Sequence, residues 1–110
     1  MNINVNVKKL SNNAIIPTQG TAYAAGFDLY AHMETSRQDI PAGETRKIGT
    51  GLCMEIPEGF VGEIYARSGL ACKKGLAPAN KVGVIDSDYR GEIMTALHNH
   101  GKTAQTIDVG

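Results

Sequence analysis

Hydrophobic and polar residues alternate along this chain in short runs that turn residues separate. The clearest alternating or apolar runs predict strands at residues 1–10, 26–32, 45–54, 61–66, 82–85 and 92–99. Turn residues cluster most clearly at 41–44, 57–59 and 99–102. Thirteen glycines among such strands favour an all-β barrel or sandwich over a helical fold. With no repeat, low-complexity tract or linker, residues 1–110 are predicted to form one domain.

One short helix is predicted to interrupt this strand pattern after residue 66. Ser68 follows an alternating strand and is a residue type that caps helix N-termini. Lys73 and Lys74 suit the last turn of a helix, and Gly75 suits the left-handed residue that ends many helices. The sequence therefore predicts a brief helix that Ser68 caps and that ends near Gly75.

Segment 83–92 carries the carboxylates of Asp86 and Asp88 and the aromatic ring of Tyr89 on one short turn and is predicted to bind a ligand. Apolar residues lead into this turn and out of it. The pattern therefore predicts a strand, a tight reversal and a second strand, with Gly83 and Gly91 at close backbone approaches.

Four residues of this turn are expected to divide between two faces. Asp86 ends the first strand and is interpreted as a buried-type carboxylate, whereas Asp88 is interpreted as an exposed one. Because side chains two apart share a face on a strand, Asp86 and Asp88 are expected to point one way, and Ser87 and Tyr89 the other, until the turn breaks the alternation. A purely structural interpretation stays open, in which the polar side chains satisfy turn amides and Tyr89 is a half-buried plug.

The start of the predicted helix has the features of an anion-binding site. A helix start presents unpaired amide hydrogens and a partial positive charge, to which Arg67 adds a forked guanidinium. Gly69 lets the backbone approach an anion closely. These features suit a phosphate, but three residues alone leave open the alternative of a structural helix cap beside an arginine.

A single carboxylate interrupts the apolar run at residues 24–31. Asp28 would cost free energy in such a strand unless it meets a cation, a metal ion or several hydrogen-bond donors. Asp28 is therefore a further candidate for a functional role.

Charge and composition narrow the class of partner. Eleven basic and eleven acidic residues cancel, which argues against a general nucleic-acid-binding or membrane-binding surface, so any phosphate binding has to be local. No apolar run is long enough to span a membrane, and the first residues alternate like a strand rather than resembling a signal peptide. We therefore expect a cytoplasmic protein in which Cys53 and Cys72 are reduced thiols. His98 and His100 share a strand face without a nearby third ligand and are interpreted as surface histidines.

Three motifs give these candidates a common interpretation. The stretches A-G-F-D-L at 25–29, A-R-S-G-L-A at 66–71 and N-K-V-G-V-I-D-S-D-Y-R-G-E at 80–92 resemble, in order and separation, the first three signature motifs of the trimeric deoxyuridine triphosphate nucleotidohydrolases, the dUTPases. Residues 57–60 and 97–101 match the family's connecting pattern, so the likeness covers nearly the whole chain. It implies a distorted jelly-roll fold. It also implies a homotrimer in which the phosphate motif and the uracil-reading hairpin meet across a subunit boundary.

The resemblance implies hydrolysis of dUTP to dUMP and pyrophosphate by attack of water on the α-phosphorus, which keeps uracil out of DNA and supplies dUMP for thymidylate synthesis. Asp86 falls where the family keeps the carboxylate that deprotonates the attacking water, so it is the predicted general base. Tyr89 falls where a ring stacks on the deoxyribose and leaves no room for a 2′-hydroxyl. Asn80 and the backbone of 84–86 fall where the family reads the uracil edge, with Met94 beside the same pocket.

The phosphate and metal sites follow from the same resemblance. Arg67, Ser68 and Gly69 fall on the phosphate-binding motif, and Asp28 falls on the motif whose acid helps to hold a hydrated Mg²⁺ on the triphosphate. Because Mg²⁺ keeps several waters, one carboxylate acting through water is enough. The predicted substrate-binding residues are Arg67, Ser68, Gly69, Asn80, Gly83, Val84, Ile85, Asp86, Tyr89 and Met94.

The sequence departs from the family pattern at its end. The family continues with a G-D-R-I-A-Q strand and later a flexible glycine-rich arm, and neither follows Gly110. We expect either a fragment of a longer protein or a shortened member with impaired activity. Two other functions stay open: a nucleotide-binding regulatory module without efficient turnover, and a dCTP deaminase-type enzyme, whose group lacks the D-S-D-Y-R-G hairpin.

Overall fold

The computed structural model describes residues 2–110 and shows a β-rich chain with one short helix. Met1, which the first predicted strand included, lies outside the described residues. The elements in chain order are β1 (Asn6–Lys9), β2 (Arg37–Ile40), β3 (Thr45–Gly49), β4 (Leu52–Glu55), β5 (Gly62–Ile64), α1 (Ser68–Lys74), β6 (Leu76–Pro78), β7 (Gly83–Ile85), β8 (Met94–Asn99) and β9 (Gln105–Asp108). The prediction of an all-β fold is confirmed.

The strands pair in small antiparallel ladders between segments that are distant in sequence. Within residues 2–110, β1 pairs with β4, β2 with β9 and β5 with β7, while β8 lies between β3 and β6. The β2–β9 pair joins Arg37 to Asp108, which lie far apart in the sequence. Such non-local pairing among many short strands agrees with a distorted jelly roll.

The predicted strand at 45–54 is wrong as a single element, because the chain turns at Gly51. Gly51 has φ +69°, a left-handed conformation that glycine adopts without steric strain. β3, before this glycine, pairs with β8, whereas β4, after it, pairs with β1. The chain therefore passes from one ladder to another at residues 50–51.

The predicted strand at 26–32 is also wrong. The backbone of this segment bonds to two separate parts of the chain: Asp28 N–H donates to the Thr18 carbonyl at 2.7 Å, and His32 N–H donates to the Gly49 carbonyl at 2.9 Å. Thr18 and Asp28 form an isolated bridge rather than a ladder. Because these partners belong to different segments, the apolar run forms an extended connection instead of a strand.

Three strands were not predicted from the sequence: β2, β6 and β9. β2 and β9 are short and polar, and each buries one isoleucine, Ile40 and Ile107. A single apolar residue gives no alternation to recognise. Pairing between the two strands, rather than local sequence, establishes them.

The helix α1 begins and ends within one residue of the prediction. Arg67 is the N-cap, with extended backbone (φ −86°, ψ 135°) and no side-chain capping bond, so the prediction that Ser68 caps the helix is wrong. The helix therefore begins one residue earlier than it would if Ser68, which has the better capping side chain, were the N-cap. Gly75 ends the helix as predicted, with φ 69° and its N–H on the Ala71 carbonyl. No helix in residues 2–110 has the length and apolar character needed to cross a bilayer.

Two apolar clusters form the core, and the second fixes both ends of segment 86–92. The first cluster consists of Ile40, Ile48, Leu76 and Ile107. The second consists of Ile56, Ile85 and Ile93. Ile85 precedes the segment and Ile93 follows it, so burial of these two side chains holds the polar segment between them at the surface.

Candidate active site

The segment between β7 and β8 forms a turn rather than a paired hairpin. The predicted strand, reversal and strand is wrong as a hairpin because β7 pairs with β5, whereas β8 pairs with β3 and β6. Within the segment, Tyr89 N–H donates to the Asp86 carbonyl at 3.1 Å and closes a four-residue turn. The turn therefore connects two different sheets.

Asp86 is exposed in this chain, so its interpretation as a buried-type carboxylate is wrong. β7 ends at the buried Ile85, and the chain leaves the ladder at the next residue. Asp86, Ser87 and Asp88 all line one open cleft of about 890 Å³. The turn breaks the alternation of faces at this point, since three successive residues line the same cleft.

Tyr89 is held by the residues that follow it. Its hydroxyl donates to the Glu92 carbonyl at 2.8 Å, and the residue is 44% exposed. The phenol passes so close to Gly91 that a methyl group there would lie 2.6 Å from the hydroxyl oxygen and 2.8 Å from Cζ. Glycine at position 91 is therefore what allows the Tyr89 ring to lie back over the turn while part of it faces solvent.

Sequence reasoning missed two residues that support this turn. Glu92 accepts a hydrogen bond from Gly51 N–H at 3.0 Å, and its carboxylate lies against Gly49. Glu92 therefore joins the end of the turn to the bend between β3 and β4. Arg90 donates to main-chain carbonyls within the turn. The available signal was the unbroken run of polar residues at 86–90, but the identity of their partners depends on the tertiary fold.

Asp28 and Arg67 come together, so Asp28 meets a cation, one of the partners expected to offset its cost in an apolar run. Arg67 Nε lies 3.5 Å from Asp28 Oδ1, with the arginine side chain 67% and the aspartate side chain 35% exposed. An ion pair this exposed contributes about 0–1 kcal/mol to stability. Ser68 and Gly69, which follow Arg67, are also exposed. Most of the guanidinium is therefore free to bind an anion from solvent.

Arg67 and Asp86 lie at opposite ends of the β5–β7 ladder. The register pairs Ile64 with Gly83 and Gly62 with Ile85. The chain after β5 therefore carries Arg67 beyond one end of the ladder, and the chain after β7 carries Asp86 beyond the other end. At the rise of an extended strand, the six residue steps between them correspond to roughly 20 Å. One chain does not bring its predicted phosphate motif to its predicted general base.

The residues predicted to read uracil lie along β7 and its neighbours. Asn80 is exposed, and its amide nitrogen would be 3.5 Å from a methyl group placed on Gly83. Val84 is 61% exposed, whereas Gly83 and Ile85 on either side of it are buried. Met94, at the start of β8, is 43% exposed. This part of the chain thus presents a polar amide and two apolar side chains to solvent.

Metal ligands are sparse in the chain. Among residues 2–110, no three histidine, cysteine, aspartate or glutamate side chains cluster as a metal cage. His98 Nδ1 is hydrogen-bonded to Thr45 Oγ1 at 2.9 Å, and His100 Nε2 accepts from Lys81 Nζ at 3.2 Å, which agrees with their interpretation as structural surface residues. Asp28 by itself is sufficient for a Mg²⁺ ion that keeps several waters and takes its other ligands from phosphates. The described chain also contains both cysteines as free thiols.

Comparison with known proteins gives a consistent match. Residues 12–110 match the family model described as dUTPase. The chain is 48% identical over 101 residues to the deoxyuridine 5′-triphosphate nucleotidohydrolase of Nautilia profundicola, covering 92% of this chain and 69% of that protein. It is 53% identical over 96 residues to the protein of the same name from Desulfitobacterium hafniense, covering 86% of this chain and 63% of that protein.

Solved structures agree with these sequence matches. The Staphylococcus bacteriophage 80alpha dUTPase superposes with a TM-score of 0.80 at 30% identity, over 90% of this chain and 61% of that chain. A mutant dUTPase from phage phi11 of S. aureus, described with a coordinated structural Mg(II) ion, gives a TM-score of 0.78 at 30% identity, over 89% of this chain and 61% of that chain. The chain thus spans about three fifths of the length of these phage proteins.

Proposed function

Because this chain belongs to the dUTPase family, we propose that it hydrolyses dUTP to dUMP and pyrophosphate by attack of water on the α-phosphorus. The observation that carries the proposal is the turn from Asp86 to Tyr89, in which the carboxylate of Asp86 lines an open cleft and a partly exposed aromatic ring follows three residues later. Relatives that match over most of this chain are named deoxyuridine 5′-triphosphate nucleotidohydrolases, which supports dUTP as the substrate.

Asp86 is the proposed general base. Its carboxylate is at the surface, where it can accept a proton from a water molecule that a bound nucleotide positions. The neighbouring turn hydrogen bond, from Tyr89 N–H to the Asp86 carbonyl, fixes the backbone that carries this side chain. Asp86 thus orients and activates the nucleophile, while phosphate-binding groups stabilise the charge that develops on the leaving pyrophosphate.

Arg67, Ser68 and Gly69 are the proposed phosphate ligands, and Asp28 is the proposed ligand of a hydrated Mg²⁺. The guanidinium of Arg67 is largely exposed and supplies a fixed positive charge and several donors. A bound Mg²⁺ would neutralise charge on the triphosphate. The contact between Asp28 and Arg67 supports a common location for the two functions.

Specificity for the deoxynucleotide is assigned to the turn and to β7. Tyr89 is proposed to pack on the deoxyribose and to exclude a 2′-hydroxyl. Asn80 and the backbone of Gly83, Val84, Ile85 and Asp86 are proposed to bond the uracil edge, with Met94 beside the base. A site that hydrogen-bonds its base rejects a base with the wrong donors and acceptors far better than an apolar pocket does.

We further propose a homotrimer with each active site shared between chains. Two features of the single chain support this arrangement. Arg67 and Asp86 lie beyond opposite ends of one ladder. The cleft at Asp86 is also lined by Glu55, Glu58 and Asp88, with Arg90 as its basic side chain, which is a poor setting for a triphosphate. Phosphate-binding groups from another subunit would supply the missing positive charge.

The function is tested by measuring pyrophosphate release from dUTP in the presence of Mg²⁺, beside UTP and dCTP. We expect release from dUTP and at most slow release from the other two. Ammonia release from dCTP would instead identify a deaminase. Binding of dUTP without any turnover would contradict the hydrolase proposal and favour a nucleotide-binding module.

Replacing Gly91 with alanine should weaken discrimination against UTP. The added methyl group would overlap the Tyr89 hydroxyl and Cζ, so the ring has to move away from its present position. We expect the ratio of kcat/KM for dUTP to that for UTP to fall about ten-fold or more. The Tyr89→Phe variant is the companion, because it keeps the ring and removes only the bond to the Glu92 carbonyl. An unchanged ratio in Gly91→Ala would contradict the role given to the ring.

A further inference from the structure

We propose that Arg90 is a positioning residue, which holds the turn from Asp86 to Tyr89 in its working shape by joining turn carbonyls to strand β4. This inference rests on the proposed function for its kinetic consequences. Its structural part, the restraint of the turn, can be tested without any substrate.

The first contacts of Arg90 are inside the turn. Its Nη1 donates to the Ser87 carbonyl at 2.7 Å and to the Tyr89 carbonyl at 3.1 Å. A terminal guanidinium nitrogen carries two hydrogens, so one nitrogen can serve both acceptors. The two carbonyls lie on either side of Asp88, and Ser87, which carries the first of them, follows Asp86 directly. Binding both of them restricts the backbone between the proposed general base and the proposed sugar-stacking ring.

The second contact of Arg90 leaves the turn. Its Nη2 lies 3.7 Å from Glu55 Oε2, at the end of β4. The other oxygen of this carboxylate, Oε1, accepts a hydrogen bond from Asn6 Nδ2 at 2.9 Å. Asn6 and Glu55 are also register partners in the β1–β4 ladder. Glu55 is therefore held by its own sheet and offers Arg90 a fixed anchor.

This anchor belongs to a different sheet from the strand that carries Asp86. β7, which ends at Ile85, pairs with β5, whereas Glu55 lies in the β1–β4 ladder. Arg90 thus joins the two ladders across the cleft that Asp86, Asp88 and Glu55 line. A planar guanidinium with several fixed donors suits this bridging, whereas an ammonium group cannot span the same set of acceptors.

The bonds to the two carbonyls are expected to restrain the turn more strongly than the pair with Glu55 does. The pair with Glu55 is long, and both side chains are more than half exposed, so solvent screens it strongly. The bonds to the two carbonyls are shorter and constrain the backbone directly. Removing the guanidinium should therefore disturb the turn more than removing the charge of Glu55.

The kinetic test compares Arg90→Met, Arg90→Lys and Glu55→Gln with the unchanged protein. For Arg90→Met, we expect kcat for dUTP to fall about 10- to 100-fold, since a small misplacement of catalytic groups has effects of this size. KM should change less than about three-fold, which separates misplacement from loss of binding. Arg90→Lys should recover part of the loss, Glu55→Gln should lose least, and the preference for dUTP over UTP should fall in the same order.

Arg46→Met is the matched control. Arg46 also donates to a main-chain carbonyl, that of Thr45 at 3.0 Å, and pairs with Glu44 at 2.7 Å, but it lies on β3 outside the turn. Its replacement should leave kcat and the dUTP to UTP preference unchanged. Equal losses in Arg46→Met and Arg90→Met would overturn the positioning role.

The structural test measures amide hydrogen exchange by mass spectrometry without nucleotide. Exchange within residues 86–91 should be faster in Arg90→Met than in the unchanged protein, while exchange in β3 and β8 stays the same. Unchanged exchange in 86–91 would overturn the proposal, as would equally faster exchange across β3 and β8. If the unchanged protein fails to hydrolyse dUTP, the proposed function fails, and this exchange pattern still decides whether Arg90 restrains the turn.

Discussion

Replacing Asp86 with asparagine is expected to lower kcat for dUTP by about 10²- to 10⁴-fold, the range typical for loss of a general base. Asparagine has nearly the same shape but cannot take the proton of the attacking water. Because Asp86 is exposed, the change leaves no unpaired buried group and should not affect folding. Steady-state kinetics, together with the affinity for a non-hydrolysable dUTP analogue, separates lost chemistry from lost binding.

Asp88→Asn is the natural control for this prediction. Asp88 is an exposed carboxylate on the same turn and lines the same cleft, so its replacement changes the local charge equally. We expect Asp88→Asn to keep most of the turnover. Wild-type turnover in Asp86→Asn, or equal losses in both variants, would show that Asp86 is not the base.

Mixing two inactive variants tests the shared active site in the same assay. If each site takes Asp86 from one chain and Arg67 from another, refolding Asp86→Asn together with Arg67→Ala should restore part of the activity. Each variant alone should stay inactive. If both residues served a site within one chain, every site would lack one of them and mixing would restore nothing. The separation of the two residues along the β5–β7 ladder favours the first outcome.

Replacing Gly51 with alanine is expected to destabilise the fold by about 3 kcal/mol, from backbone strain together with overpacking. Gly51 has φ +69°, and a methyl group there would lie 2.9 Å from Ala14 Cβ and 3.0 Å from His32 Cγ. The same residue donates its N–H to Glu92, so a shift of this backbone would also disturb the turn that carries Tyr89. Urea denaturation followed by circular dichroism measures the free energy of unfolding.

Gly43→Ala separates the two causes. Gly43 has a similar φ of +76°, but a methyl group there would have nothing within 4 Å. Strain alone should then cost about 1 kcal/mol. Similar losses for Gly43→Ala and Gly51→Ala would show that contact with Ala14 and His32 adds nothing.

Local sequence predicted the parts of the fold that depend on neighbouring residues. The end of the helix at Gly75 follows from a glycine that tolerates a left-handed backbone. The strands β5, β7 and β8 lie within predicted apolar or alternating segments. In each case the free energy that favours the element comes from neighbouring residues, through a turn, a helix cap or the burial of one face.

The failures have a common cause in non-local pairing. The apolar run at 26–32 lacks one continuous partner strand, and its hydrogen bonds are divided between Thr18 and Gly49. β2 and β9 have little apolar signal and exist because they pair with one another. Strand formation depends on a neighbour that can be far away in sequence, so propensity alone cannot decide it.

Residue types and their spacing were sufficient to predict the all-β class, the family and the candidate site residues, because they encode local structure and chemistry. The exposure of Asp86 and the contact of Arg67 with Asp28, at the far end of a ladder from Asp86, depend on the tertiary fold. So do the contacts by which Arg90 and Glu92 join the turn to other parts of the chain. These relations join residues tens of positions apart. The antiparallel register and the burial of the core determine these relations, and no short stretch of the sequence specifies either of them.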